Sequence, residues 1–202
     1  MQKTENKSND AVEQMFKAGV QYGYSKTGLG AQGKVVLFVG TKPEAKVVIK
    51  AVAESIGMPY VTTRWIGGTL SNFTEIKKRI TELETYRKDS LEGGLDKYTK
   101  KERVVLAKKM EKLSKYYSGL IGLKKTPDAL FVIDAKAEHI AVTEALKGDV
   151  AVVSLVNSDS NIKGINYPIV GNDSGIPSIK FFTESIAKAY KESQHTVPDK
   201  TS

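Results

Sequence analysis

The chain has 202 residues, 40% hydrophobic and 27% charged, which suits one folded domain with a small appendage and excludes wholesale disorder. It contains no cysteine, so disulfides, thiolate metal sites and a cysteine nucleophile are excluded, and no apolar run approaches the roughly 20 residues of a membrane span. The net charge of +8 is concentrated, because residues 77–125 hold 15 of the 31 Lys and Arg but only 7 of the 23 Asp and Glu, leaving the rest of the chain neutral; such a block marks a polyanion-binding surface or a solvated helical face.

Residues 1–10 are polar and mixed in charge and read as a flexible leader rather than a signal peptide, which makes the cytoplasm the expected compartment. Ala11–Ala18 has Val12, Met15 and Phe16 on one side, the pattern of a short amphipathic helix. Residues 25–33 form a glycine-rich loop. Lys34–Gly40, KVVLFVG, is a continuous β-branched run too short for a core helix, and predicts a strand buried on both faces of a parallel sheet. Pro43 in the first turn, behind Thr41 or Lys42, opens a helix to about Ile56 that stops at Gly57. A second strand is expected at Pro59–Thr63.

Residues 64–72, RWIGGTLSN, form a loop, with Asn72 as the expected cap of a helix from Phe73 to about Arg87. Its apolar positions are Phe73, Ile76, Ile80 and Leu83. After the break at Gly93–Gly94, Thr99 and Glu102 make a capping box for a second helix, with Leu106, Met110, Leu113 and Tyr117 on one side. Two narrow apolar stripes joined by a glycine turn predict an antiparallel helical hairpin carrying nearly all of the basic excess. Strands at Ala129–Ile133 and Val150–Val156, helices at Glu138–Leu146 and Ser178–Glu192, and a short extended stretch at Tyr167–Val170 complete an α/β pattern. The expected organisation is a discontinuous α/β domain (11–71 and 126–192), an inserted hairpin (72–125) and flexible tails (1–10 and 193–202).

Several motifs bear on chemistry. Gly28 to Gly33 has dinucleotide-fingerprint spacing, but it precedes a strand instead of following one, so it reads as a loop. Gly40-Thr41-Lys42 follows a strand and opens a helix, where a phosphate cradle would lie, without the glycine frame of a nucleotide-binding loop. Asp134 and Asp159 end strands; they read as turn or helix caps, with paired carboxylates as the alternative. His139 and His195 lack an evident partner, and no cofactor or metal is called for. In the 64–72 string, Arg64 suits a phosphate or carboxylate and Trp65 offers either a stacking face or a core plug.

The chain resembles the small-subunit ribosomal protein two family of bacteria. The resemblance rests on AGVQYGY (18–24), VLFVGTK (36–42), PYVTTRWIGGTLSNF (59–73), YTKKE (98–102), PDALFVIDAKAEHIAVTEA (127–145) and INYPIVGNDSG (165–175). It implies a flavodoxin-like, three-layer parallel α/β fold with an inserted antiparallel coiled-coil hairpin. It also implies a non-enzymatic role in binding small-subunit ribosomal RNA beside neighbouring ribosomal proteins, helping to dock ribosomal protein one. A membrane and a small-molecule substrate have no part in that role, and the protein is expected to be cytoplasmic and ribosome-bound. The expected RNA contacts are Lys42, Arg64, Trp65, Lys77, Lys78, Arg79, Lys100, Lys101, Arg103, Lys124 and Lys125. The alternative is a flavodoxin-like nucleotide or small-molecule enzyme using Thr41, Lys42, Asp134 and Asn157 at the strand ends.

The sequence departs from the family pattern in three places. Tyr24 stands where the family usually has His, and Asn157-Ser158-Asp159 replaces its usual Asp-Thr-Asn. A strand–helix unit expected before Val36 is missing, because the eight residues Ser25–Gln32 are fewer than a parallel crossover needs. Either the unit was lost or the chain joins two ends across an omitted segment.

Overall fold

A computed structural model describes residues 34–195. The expected helix at Ala11–Ala18, the 25–33 loop and the N-terminal tail lie outside the described residues. Five strands alternate with five α-helices: β1 (Val36–Val39), α1 (Pro43–Ser55), β2 (Tyr60–Val61), α2 (Phe73–Leu91), α3 (Lys100–Tyr117), β3 (Ala129–Ile133), α4 (His139–Lys147), β4 (Ala151–Val156), β5 (Tyr167–Val170) and α5 (Ile176–His195). The strands form one all-parallel sheet in the order β2-β1-β3-β4-β5. That order is compatible with a flavodoxin-like fold, whose crevice opens between the C-terminal ends of β1 and β3.

Alternate residues of each strand supply two cores. Leu37, Val39, Leu130, Val132 and Val152 face one side with Ile76, Ile80 and Leu83 of α2, Met110 and Tyr117 of α3, and Ala141 of α4. Phe38, Phe131, Ile133 and Leu155 face the other, with Ala45 and Ile49 of α1 and Ile179, Ile186 and Tyr190 of α5. Phe38 and Phe131 meet edge to face at 5.5 Å between ring centres. Both faces of the sheet are covered, so its strands read as unbroken apolar runs instead of alternating ones.

The helical stripes behave as their spacing predicts. The apolar positions of α2 and α3 join the sheet's own core in addition to meeting each other. Gly94–Lys97 forms a single 3₁₀ turn between the two helices, entered through Gly93 at φ 76°. Helix α2 runs four residues beyond the expected Arg87, to Leu91, because the glycine pair supplies its stop.

Helix starts follow different rules. Thr99 and Glu102 form the reciprocal capping box. Thr99→Ala is expected to cost about 1 kcal/mol, read as a shift in urea midpoint at unchanged slope. Lys42 precedes Pro43 as expected. Asn72, by contrast, makes no side-chain cap bond. Helix α5 begins two residues before the expected Ser178, after an Asn172 side-chain oxygen that accepts from Ser174 N at 2.9 Å and Gly175 N at 3.0 Å. It continues through His195, so residues 193–195 are helical instead of tail.

Tyr167–Val170, read only as an extended stretch, is a true edge strand. Gly171 N–H donates to Val156 at 2.9 Å. Stepping by two along the strand, the residues bonded toward β4 are the odd-numbered ones, so Pro168 occupies an outward-facing position. A residue without an N–H there discourages addition of another strand.

Candidate nucleic-acid interface

The crevice at the ends of β1 and β3 is where a doubly wound sheet ordinarily holds a ligand. Here the chain fills it with its own charges. Lys42 Nζ lies 2.6 Å from Asp134 and 3.3 Å from Asp173. Both carboxylates are buried, whereas the lysine side chain is 25% exposed. Burial alone would lower the Lys42 pKa; its hydrogen bond to Asp134, reinforced by Asp173, outweighs that and holds it above the ordinary lysine value. Thr41 donates its backbone N–H to Glu138 at 3.0 Å and its hydroxyl to the same carboxylate oxygen. Glu138 is only 4% exposed.

Asp134 sits at φ 65°, a left-handed conformation that Asp tolerates better than most residues. There its Oδ1 accepts from Lys136 N at 3.0 Å and Ala137 N at 3.1 Å. Asp134 therefore does what the cap reading expected, and also forms an ion pair. Asp159 pairs instead with Lys136 at 2.9 Å, which lowers the Asp159 pKa through that hydrogen bond. Three carboxylates gathered around the start of α1 repel the phosphate that Gly40-Thr41-Lys42 would otherwise cradle. Gly40 has a packing role: a Cβ there would meet Ile49 at 3.0 Å and Ala45 at 3.1 Å, so it lets α1 lie close on the sheet.

The 64–72 loop divides into buried and exposed parts. Trp65 is 4% exposed and belongs to the core beside α2 and β1. Its side chain is a core plug, and the stacking face expected of it is not presented to solvent. Arg64, Gly67, Ser71 and Asn72 are at least partly exposed. Between them Glu144 of α4 accepts from Gly68 N at 2.7 Å, Leu70 N at 3.0 Å and Ser71 N at 3.5 Å. Buried Thr69 donates its hydroxyl to Ile66 O at 2.6 Å.

The basic block lies on α2, α3 and their flanks. Lys77, Lys78, Arg79, Lys100, Lys101, Arg103, Lys124 and Lys125 are all exposed. Most acidic residues of this region are held within it. Glu82 binds Lys109 and lies 3.5 Å from Arg79; its pKa is lowered chiefly by the Lys109 hydrogen bond. Asp89 faces Lys97, Asp96 faces Arg103, and Glu102 is committed to the Thr99 cap. Glu84 accepts from Gly122 N at 3.2 Å. Among the described residues, Lys88, Lys100, Lys101, Lys108, Lys112 and Lys124 make no ion pair through their side chains. Lys77 Nζ donates to Lys124 O at 3.3 Å, bringing the two ends of the block together. Lys78 and Lys125 are engaged by Glu75 and Asp128, in exposed pairs of little strength.

Sequence reading missed Glu138, Asp173 and Glu144. Each is one acidic residue in a mixed stretch, and only the neighbours brought by folding reveal its use. Among the described residues there is no cluster of three or more metal-ligating side chains, and no helix is long and apolar enough to cross a membrane.

These features define a doubly wound α/β protein whose ligand crevice is closed by internal ion pairs and whose unbalanced charge lies on two helices. A family model described as Ribosomal protein S2 matches residues 23–193, and the chain belongs to that family. It is 45% identical over 162 residues to the small ribosomal subunit protein uS2 of Helicobacter hepaticus, covering 80% of this chain and 61% of that relative. Against the uS2 of Wolinella succinogenes the identity is 44% over 162 residues, 80% of this chain and 60% of the relative. Against that of Helicobacter acinonychis it is 41% over 169 residues, 84% and 69%. The chain thus spans about three-fifths of the length of the first relatives it matches.

Proposed function

We propose that this protein is a non-catalytic structural constituent of the small ribosomal subunit, cytoplasmic and ribosome-bound, that binds small-subunit ribosomal RNA. The observation that carries the reading is the set of exposed lysines on and beside α2 and α3 without carboxylate partners, in a chain of this family. Such cations displace counterions from phosphates, a term that supplies affinity and position without reading bases. Lys100, Lys101 and Lys124 are the foremost contacts, with Arg64, Lys77, Lys78, Arg79, Arg103 and Lys125 beside them. In this reading α2 and α3 act as a helical hairpin carrying the RNA-facing charge, and the protein helps to dock ribosomal protein one. A nucleotide-binding enzyme is the weaker reading, because its phosphate would meet Asp134, Glu138 and Asp173.

The test is binding to small-subunit ribosomal RNA across a salt series. The double variant Lys100→Glu, Lys101→Glu is expected to weaken binding and flatten the log–log salt slope by about 0.7–0.9 for each phosphate that is no longer neutralised. An unchanged affinity and slope would remove both residues from the interface. Stoichiometric nucleotide binding with no affinity for RNA at moderate salt would overturn the reading.

A further inference from the structure

We infer that Glu144 is a positioning residue for RNA docking: its carboxylate holds the 66–71 turn so that Arg64 and the exposed start of α2 are presented in a fixed geometry. The inference rests on the RNA-binding reading above. Glu144 lies 73 or more residues along the chain from the turn, on a different helix, and both of its oxygens are used. Oε1 takes Gly68 N–H and Oε2 takes Leu70 and Ser71 N–H. The turn needs this help. Gly68 stands at φ 92°, and Asn72 supplies no side-chain cap at the start of α2. Without Glu144 those N–H groups would turn to water and the segment between its Trp65 anchor and α2 would sample other conformations.

The sign of the effect separates positioning from plain electrostatics. Glu144 is an acidic residue on a protein that binds a polyanion. If only charge mattered, removing it would strengthen RNA binding. If it orders the turn, removing it weakens binding, because the loop must then be ordered on docking. Glu144→Gln in the full chain keeps one acceptor oxygen and removes the charge. It is expected to weaken binding of small-subunit ribosomal RNA by roughly threefold to tenfold at fixed salt. The salt slope stays as in the parent protein, since no phosphate contact is deleted. Amide exchange at Gly68, Leu70 and Ser71 accelerates, while β3 and β4 amides keep their protection.

Gly68→Ala is the second variant. It strains the same turn through its positive φ and leaves the carboxylate in place, so it is expected to weaken RNA binding in the same direction. RNA binding that is unchanged or tighter in Glu144→Gln, with those amides exchanging faster, overturns the positioning role. Unchanged exchange at the three amides overturns the clamp itself. If the parent protein shows no salt-dependent RNA affinity, the underlying RNA reading fails, an outcome distinct from failure of the variant.

Discussion

Replacing Lys42 with methionine lowers the stability of this protein by about 2–4 kcal/mol, a loss expected when one partner leaves a buried ion-pair cluster. The cause is what stays behind. Asp134 and Asp173 remain buried, at 7% and 3% exposure, with no ammonium between them. The measurement is urea unfolding of both proteins followed by circular dichroism. Adding Asp134→Asn to the methionine variant recovers part of the loss, because the amide oxygen still accepts from Lys136 and Ala137 and one unpaired charge is gone. A loss below about 0.5 kcal/mol would show that the crevice is hydrated enough to need no counter-ion. The same variant probes the expected RNA contact at Lys42: an ammonium committed to two carboxylates leaves the salt slope of RNA binding unchanged.

The Lys42 cluster also fixes the direction of a pH effect. Its folded pKa is raised above the ordinary 10.5, so its contribution is complete below 10.5 and is lost as pH rises through the folded value. Tyr60 acts over a neighbouring range with the same sign. Burial, and then its 2.8 Å hydrogen bond to Glu54, raises its pKa to about 12 from an ordinary 10. Stability therefore falls between about pH 10 and 12, and the methionine variant loses the Lys42 share of that decline.

The second large effect is expected at Gly119. A Cβ on that residue would stand 2.2 Å from the backbone oxygen of Tyr60 and 2.7 Å from its ring. Backbone cannot rotate away as a side-chain tip can. Gly119→Ala therefore forces β2 away from the turn after α3, with a loss of about 3 kcal/mol. Two observables localise the damage. Amides of Phe38 and Gly40, which donate to Pro59 and Val61 across the β1–β2 edge, should exchange faster. The Tyr60 phenol, followed by ultraviolet titration, should move back from about 12 toward 10 as it gains water. A variant with parental stability and an unmoved tyrosine titration would contradict this close approach.

The elements were legible where a residue acts on its own neighbours. Continuous β-branched runs marked β1, β3 and β4, Pro43 marked the start of α1, and the Thr99–Glu102 pair marked α3. Tyr167–Val170 was harder because Pro168 argues locally against a strand and is tolerated only on the sheet's edge. The 64–72 string is unusual in composition, but composition could not separate Trp65 as a stacking face from Trp65 as core. Burial in the core decided it. Family resemblance likewise reached the chain from its motifs, and the match over residues 23–193 establishes it.

By itself the sequence determined the α/β alternation, the confinement of the basic excess to 77–125 and the helical spacing that carries it, because periodicity and charge are properties of contiguous residues. The tertiary structure decided which charges, inside that block and outside it, remain available. Lys42, expected to face RNA, is committed to carboxylates 92 and 131 residues further along the chain. Glu144, unremarked in the sequence, clamps a turn more than 70 residues before it. The physical reason is that hydrogen bonds and ion pairs act over a few ångströms in space, and only the parallel crossovers bring these distant segments that close.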